Sequence, residues 1–353
     1  MLSQIQLTID EHKFEDILPY RWITIQEQNE FSDFLESHGI PCDDIRNCAM
    51  TWKKYPCSVN PNHSKKVIYA QCGHRGKCPR DSMSYAHHRA NICYRFIKEN
   101  VADRVWFDLK MNQITLTLPK VLEDMDTKLF SRMLKDFAIC YDLEAYGYSI
   151  HTRRSEDPLG SRRVHGHLIS FNFDVDRDKL KDSTNDLIDK TDYWFDVDQM
   201  RETWKAIIEV NTNQVFDEVD LHVEYCSILK DREKSIHLLA YLYRYPVKDL
   251  FDVQIRKKTR NYFKATQFKN SVLELLREKK PRLVWCGLMS SSKRKKLQEL
   301  LSEVGYSWLK FPEIERKIKL EADQCVDCKS PYSPYPCECG VYEGDNEPRG
   351  EYG

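Results

Sequence analysis

Alternation of apolar and polar residues predicts strands in the middle of the chain. The run Ile114-Thr115-Leu116-Thr117-Leu118 has a period of two and stops at Pro119, which is typical of a strand with two different faces. Residues 146–152, 164–173 and 219–228 have comparable patterns and predict three more strands.

Apolar residues at helical spacing separate these strands. In residues 124–141, Leu129, Met133, Phe137 and Cys140 fall on one side of a helix. Further helices are predicted at residues 26–37, 83–99, 199–210, 235–245, 268–278 and 293–303. Strands that alternate with helices predict an α+β fold in which the helices pack on one face of a sheet.

The same patterns divide the chain into five parts. We predict a lead-in at residues 1–45, a metal-binding module at 46–100, an α+β domain at 101–250, a helical region at 251–320 and a cysteine-rich tail at 321–353. The chain has 353 residues, of which 41% are hydrophobic, so a substantial core can form.

Composition narrows the possible functions. The net charge of −1 argues against a general polyanion-coating protein, although local basic clusters such as 153–163 and 293–296 are compatible with DNA binding. We find no signal-peptide pattern at the amino terminus and no apolar run near the ~18 residues of a membrane helix, so no membrane partner is expected. The 13 cysteines cluster with histidines, which indicates metal binding in a reduced, cytoplasmic setting.

Two histidines share one side of a predicted strand. His165 and His167 flank Gly166, and the period of two places both imidazoles on the same face, where they could chelate one divalent cation. Gly166 would let a helix pack closely on the opposite face. Two partly buried histidines with ordinary hydrogen-bond partners are the alternative interpretation.

A tyrosine-rich helix follows the last predicted strand. Tyr243 belongs to its apolar stripe and is expected in the core, whereas Tyr241 and Tyr245 share the other side with His237. A tyrosine beside a metal-bound phosphate is a competent nucleophile, and Arg244 or Lys248 could bind the DNA backbone or stabilise the leaving oxygen. A helix that simply packs on the sheet is the alternative.

The strand 114–119, the histidine pair and the tyrosine helix occur in the order of the three motifs of the HUH endonuclease superfamily. Over residues 48–290 the chain resembles rolling-circle replication initiators of archaeal plasmids and viruses, and the related tyrosine transposases. The chain departs from the superfamily at Gly166, a position that is usually bulky and apolar.

The resemblance implies a fold, an activity and partners. It implies a central antiparallel sheet at residues 101–250 and site-specific nicking and joining of single-stranded or origin DNA through a 5′-phosphotyrosine. It further implies Mg²⁺ or Mn²⁺ and a host polymerase. A host helicase is also expected, because the sequence has no phosphate-binding loop of the helicase type.

The resemblance also assigns residues. His165 and His167 match the metal ligands, Tyr241 the nucleophile and Tyr245 the second tyrosine of two-tyrosine members. His151 and Glu224 are both candidates for a third ligand. Arg162 and Arg163, in a basic turn between two predicted strands, are candidates for DNA binding.

Two groups of cysteines predict structural Zn²⁺. Cys57, His63, Cys72 and Cys78 offer a tetrahedral ligand set, with Cys48 and His74 as alternative ligands, in a DNA-contacting or packing module. A second site is predicted in the tail, with these ligands: Cys325, Cys328, Cys337 and Cys339.

Three functional classes compete on these observations. A nicking and joining endonuclease accounts for the histidines, the tyrosines and the cysteines together, either as a replication initiator or as a transposase. A zinc-dependent DNA-binding regulator accounts for the cysteines alone. A metallophosphoesterase that uses water as its nucleophile would need more carboxylate or histidine ligands than the sequence offers.

Overall fold

We analysed a computed structural model of the chain. The structure describes residues 25–48, 51–73, 78–122, 125–151, 164–175, 188–191, 196–243, 284–303 and 308–341. The described helices are α1 (Ile25–Glu36), α2 (Asp43–Arg46), α3 (Pro79–Ile97), α4 (Thr127–Cys140), α5 (Val197–Thr212), α6 (Arg232–Tyr243), α7 (Ser291–Glu303) and α8 (Phe311–Ala322). A π-helical turn, Lys98–Ala102, extends α3.

The described strands are β1 (Thr51–Tyr55), β2 (Lys66–Tyr69), β3 (Lys110–Thr117), β4 (Ala145–His151), β5 (His165–Phe171), β6 (Phe173–Val175), β7 (Ile188–Lys190), β8 (Leu221–Ser227), β9 (Val284–Gly287) and β10 (Glu338–Val341). They form a five-stranded, a three-stranded and a two-stranded sheet. The predicted α+β class is confirmed.

The central sheet has the strand order β8-β3-β5-β4-β9, and every neighbouring pair is antiparallel. The four strands predicted from alternation correspond to β3, β4, β5 and β8. The fifth, β9, lies in the region that we predicted as helical. A four-residue strand is too short for alternation to reveal it, and its pairing with β4 joins distant parts of the chain.

Helices cover both faces of this sheet, so the predicted one-sided packing is wrong. One face buries Ile114, Leu116 and Leu168 against α4 and α5, whose core residues include Phe130 and Trp204. The other face buries Met111, Ile169 and Phe171 with apolar residues of α3 and α6. Because β5 is buried along its whole length, both sides of the strand need a helical cover.

A smaller sheet joins residues that we predicted to lie in separate modules. β1 pairs with β2 on one side and with β10, from the predicted cysteine-rich tail, on the other. The described part of the tail therefore packs beside residues 51–69. None of the helices in the described part of the chain has the length and apolarity needed to cross a membrane.

Candidate active site

Three histidines come together on one face of the central sheet. His165 on β5 lies opposite His151 on β4, and both share a face with His167. The coordinating atoms of the three imidazoles lie within 4.8 Å of one another, and all three side chains are buried. Their ring centroids are 4.5–5.2 Å apart. The group could hold one metal ion.

Tyr241 of α6 faces this cluster. Its hydroxyl lies 3.3 Å from His167 Nε2. Its ring centroid is 4.7 Å from that of His167 and 5.4 Å from that of His151. The tyrosine is half-buried, so its hydroxyl borders the metal-binding atoms without being sealed in the core.

The neighbouring tyrosine holds the helix against the sheet. Tyr243 is 9% exposed, and its hydroxyl accepts a hydrogen bond from Trp285 Nε1 at 3.1 Å and contacts Cys93 Sγ at 3.2 Å. Burial raises the pKa of Tyr243 well above that of an ordinary phenol, which makes it a poor nucleophile. The predicted core position of Tyr243 is confirmed.

The glycines of β4 and β5 allow close packing on opposite faces. A Cβ at Gly147 would lie 2.4 Å from the Trp285 ring, on the histidine face, where this indole packs directly on the backbone. A Cβ at Gly166 would lie 2.8 Å from a methyl group of Leu134 on α4. The close helix packing expected opposite the histidines is therefore present.

His167 also has hydrogen-bond partners on β3. Its Nδ1 lies 3.1 Å from Thr115 Oγ1 and 3.3 Å from Gln113 Nε2. Gln113 Oε1 is buried and has no hydrogen-bond partner among the described residues. Exchange of Oε1 and Nε2 by rotation of the Gln113 carboxamide lets Oε1 accept the proton on Nδ1 of His167. Both groups are then hydrogen-bonded, and the lone pair on Nε2 of His167 is available for a metal.

Of the two candidates for a third ligand, only His151 reaches the histidine pair. Glu224 lies on β8, which β3 separates from β5, and roughly 10 Å therefore divides the two strands. Its carboxylate pairs with Lys234 of α6 at 2.9 Å. Glu224 therefore forms an ion pair with Lys234 and does not belong to the histidine cluster.

Several predicted site residues lie outside the described residues. They are Tyr245, Arg162, Arg163, Arg244 and Lys248, together with the helix predicted at 268–278.

The cysteines group differently from the prediction. Cys57 and His63 approach Cys325 and Cys328, whereas Cys72 and Cys78 approach Cys48, and in each group the ligand atoms lie within 4.8 Å of one another. His74, the other alternative ligand, lies outside the described residues. Both groups could bind a metal ion such as zinc.

Cys337 and Cys339 do not join either group, so the predicted tail site is wrong in these two ligands. Both side chains are exposed. Cys339 lies in β10 opposite Lys53, and Cys337 contacts the backbone oxygen of Lys54 at 3.6 Å. The physical reason is that the end of the tail extends along β1 as an edge strand and cannot fold back towards Cys325.

Sequence reasoning missed Gln113 and Thr115. Both occupy positions of β3 with the same parity, and Thr115 lies directly opposite His167. The alternation of β3 could have indicated which face they occupy, but only the β3–β5 register reveals their neighbour.

Comparisons with known proteins gave no match: neither a family model, nor a curated protein, nor a solved structure corresponds to this chain.

Proposed function

We propose that the chain is a metal-dependent endonuclease that nicks and rejoins single-stranded DNA, with Tyr241 as the nucleophile. The observation that carries the proposal is the 3.3 Å separation between the Tyr241 hydroxyl and Nε2 of His167, within a cluster of three buried histidines. The resemblance of the motif order to HUH endonucleases supports the same assignment.

The reaction exchanges one phosphoester for another. The Tyr241 oxygen forms a bond to phosphorus while the bond from phosphorus to the 3′ oxygen of the preceding nucleotide breaks. The phenol proton passes to water, and the departing oxygen takes a proton from water to become a 3′ hydroxyl. Attack by a 3′ hydroxyl on the phosphotyrosine reverses the process and joins the strand.

The histidine cluster fits a borderline divalent metal. His151, His165 and His167 offer three imidazole nitrogens, which suit Mn²⁺ and later transition metals better than Mg²⁺, whose preferred ligands are oxygens. Between the two cations that the resemblance implies, the donor set therefore favours Mn²⁺. When bound, such a cation neutralises charge on the non-bridging oxygens of the scissile phosphate.

The surrounding residues orient these groups. Thr115 and Gln113 hold Nδ1 of His167, which fixes the ring so that Nε2 faces Tyr241. The hydrogen bond from Trp285 to Tyr243 keeps α6 on the sheet. A rigid helix and a rigid sheet thus set the distance between the phenol and the metal ligands.

We propose that this chemistry initiates rolling-circle replication of a plasmid or virus. The free 3′ hydroxyl would prime a host polymerase, and a host helicase would unwind the duplex. Transposition by the same strand transfer is the second setting that the resemblance allows. If the gene for this chain lies beside a strand-specific origin on a small circular replicon, the first setting is favoured. If the gene lies between transposon ends, the second setting is favoured.

A covalent-capture assay tests the activity. The full chain is incubated with Mn²⁺ and a labelled, randomised single-stranded DNA library, and protein–DNA adducts are resolved on a denaturing gel. We expect an adduct that Tyr241→Phe abolishes and that the control Tyr141→Phe retains, because Tyr141 packs in the hydrophobic cluster on the opposite face of the sheet. Mass spectrometry of the nuclease-trimmed adduct should locate the phosphotyrosine at residue 241.

Other outcomes would contradict parts of the proposal. An adduct that survives in Tyr241→Phe but disappears in Tyr245→Phe would make Tyr245 the nucleophile. Cleavage without any adduct would favour a water nucleophile, and binding without cleavage would favour a DNA-binding regulator.

A further inference from the structure

The tail and the β1–β2 hairpin together contribute a group of possible metal ligands that is separate from the histidine cluster. We infer that Cys57, His63, Cys325 and Cys328 bind one tetrahedral Zn²⁺ and that this ion holds together a unit formed by residues 51–73 and 323–341. We call this unit the clasp. The inference does not depend on the proposed nuclease activity.

The distances between the four side chains match a zinc site. Cys57 Sγ lies 3.5 Å from Cys328 Sγ, and Cys325 Sγ lies 3.8 Å from His63 Nδ1. Bond lengths of about 2.3 Å for Zn–S and about 2.0 Å for Zn–N in a tetrahedron place the ligand atoms roughly 3.5–3.8 Å apart. A disulfide requires about 2.05 Å between sulfurs, so these cysteines are not bonded to each other.

Backbone pairing brings the two cysteine turns together. Cys57 forms an antiparallel bridge with Tyr332, and the backbone N–H of Ser58 donates to the carbonyl oxygen of Pro331 at 3.1 Å. The backbone N–H of Cys325 donates to the carbonyl oxygen of Ser330 at 2.7 Å, which closes the turn that carries Cys328. The backbone thus positions the ligands from the two segments beside each other.

The clasp has no apolar core. Among its described side chains, three are buried: Cys57, Lys66 and Cys325. Two of these are proposed ligands and the third is a charged residue. A unit of roughly 40 residues without a hydrophobic core requires another source of stability, and a bound metal is the usual one.

Ion pairs and strand pairing show how the two parts of the clasp fit. Lys66 Nζ lies 2.6 Å from Asp323, and Lys65 Nζ lies 2.7 Å from Glu338, while β1 pairs with β10. These lysines neutralise acidic residues of the tail. The packing role of the module is therefore favoured over the DNA-contacting role that the basic residues suggested.

The ligands are far apart in sequence, since 271 residues separate Cys57 from Cys328 and 262 separate His63 from Cys325. A single ion would thus link two segments that are distant in the sequence. α8 connects the clasp to the core, because Glu321 near its end pairs with Arg95 of α3.

Zinc content of the full chain tests the ligand set. We expect Cys325→Ser to contain one zinc per chain less than the wild type, as measured by inductively coupled plasma mass spectrometry. The matched control is Cys339→Ser, which removes an exposed thiol from the same tail and should leave the zinc content unchanged. Unchanged zinc in Cys325→Ser, or an equal loss in Cys339→Ser, would overturn the inference.

A second variant keeps the test decisive if Cys325→Ser does not fold. His63→Cys preserves four ligands, and in the Co²⁺-substituted protein it should increase the sulfur-to-cobalt charge-transfer absorption of the clasp site by about one third, because three thiolates become four. Absorption from Co²⁺ bound by Cys48, Cys72 and Cys78 is common to both proteins and cancels in their difference spectrum. An unchanged spectrum would exclude His63 as a ligand. Hydrogen exchange should show loss of protection in β1 but not in β3 when zinc is removed by a chelator.

Discussion

At the scale of single residues, the side chain of Gln113 contacts the imidazole of His167. Its side chain is 8% exposed, and its amide lies beside the imidazole nitrogen that points away from Tyr241. An acceptor at this position fixes the tautomer and increases the basicity of the other nitrogen. Gln113 is therefore a positioning residue for the proposed metal site.

Replacement of Gln113 should alter metal affinity. We expect Gln113→Leu to weaken Mn²⁺ binding about tenfold, because a lost partner of a ligating histidine typically costs 10- to 100-fold and Thr115 still contacts the ring. Gln113→Glu keeps an acceptor and should restore most of the affinity. Isothermal titration calorimetry would measure the Mn²⁺ affinity of both variants and of the wild type. Equal affinities of Gln113→Leu and the wild type would show that Gln113 does not position His167 for metal binding.

Gly166 is required by packing rather than by the metal. We expect Gly166→Ala to destabilise the protein by about 1–3 kcal/mol, because the added methyl group would overlap Leu134. Leu134→Ala alone creates a cavity. The double variant should be less destabilised than the sum of the two single variants, which urea unfolding would detect. Additive effects would show that the two side chains do not compete for this space.

The sequence predicts those site residues that are brought together by a local periodicity, and it does not predict those that are brought together by contacts between distant segments. The period of two places His165 and His167 together, and the helical period separates Tyr241 from Tyr243. The choice of His151 over Glu224 depends on the β4–β5 register, which no local pattern encodes. The grouping of Cys57 with Cys325 depends on a pairing across most of the chain.

At the scale of elements, an ion-pair cluster joins α3 to α8. Glu99, in the π-helical turn, accepts hydrogen bonds from Arg95 and from Lys317 Nζ, the latter at 2.8 Å. Burial raises the pKa of Glu99, but the hydrogen bonds from Lys317 and Arg95 outweigh it and hold the pKa below its usual value. The side chain is 12% exposed, so solvent screens these contacts only weakly.

We expect Glu99→Gln to lower the free energy of unfolding by about 1–3 kcal/mol at neutral pH. Because the pKa of Glu99 is depressed in the folded state, the stabilisation is present above the unfolded pKa and is lost as the pH falls through the folded pKa. The difference between the variant and the wild type should therefore shrink in acid. Urea unfolding at several pH values would measure it.

The control for this experiment is Glu299→Gln. Glu299 forms an exposed pair with Lys295 at 3.9 Å within α7. Its removal should change stability by less than about 0.5 kcal/mol at any pH. An equal effect of both substitutions would mean that the α3–α8 contact contributes nothing specific.

The elements themselves were predictable where they are long. Predicted helices at 26–37, 199–210 and 293–303 correspond closely to α1, α5 and α7. The short strands β1, β2, β9 and β10 escaped prediction, since four or five residues carry too little alternation. Their stability comes from partners far away in the sequence.

At the scale of the whole molecule, the central sheet separates two hydrophobic clusters. Trp204 belongs to the cluster opposite the histidines and donates a hydrogen bond from Nε1 to the backbone oxygen of Thr117 at 2.8 Å. Trp285 packs on the histidine face and donates to Tyr243. The two indoles therefore make comparable contacts on opposite sides of one sheet.

Because the two tryptophans lie on opposite faces, we expect substitution of one to affect stability alone and substitution of the other to affect both stability and the geometry of the histidine site. Trp204→Phe and Trp285→Phe should each lower the free energy of unfolding by about 1–3 kcal/mol, through lost packing and one lost hydrogen bond. Only Trp285→Phe should also weaken the Mn²⁺-dependent formation of the DNA adduct, because it releases α6. Equal loss of adduct in both variants would contradict this division.

The pairing of β1 with β10 has a consequence for biosynthesis. During translation β1 is made before its outer neighbour β10, and the paired residues Thr51 and Val341 are 290 positions apart in the sequence. Before β10 is made, β1 is an edge strand that pairs only with β2, and its unpaired backbone groups can form hydrogen bonds with strands of other chains. Nascent chains stalled before residue 338 should therefore associate with chaperones more than released chains do, and should resist self-association only after β10 docks.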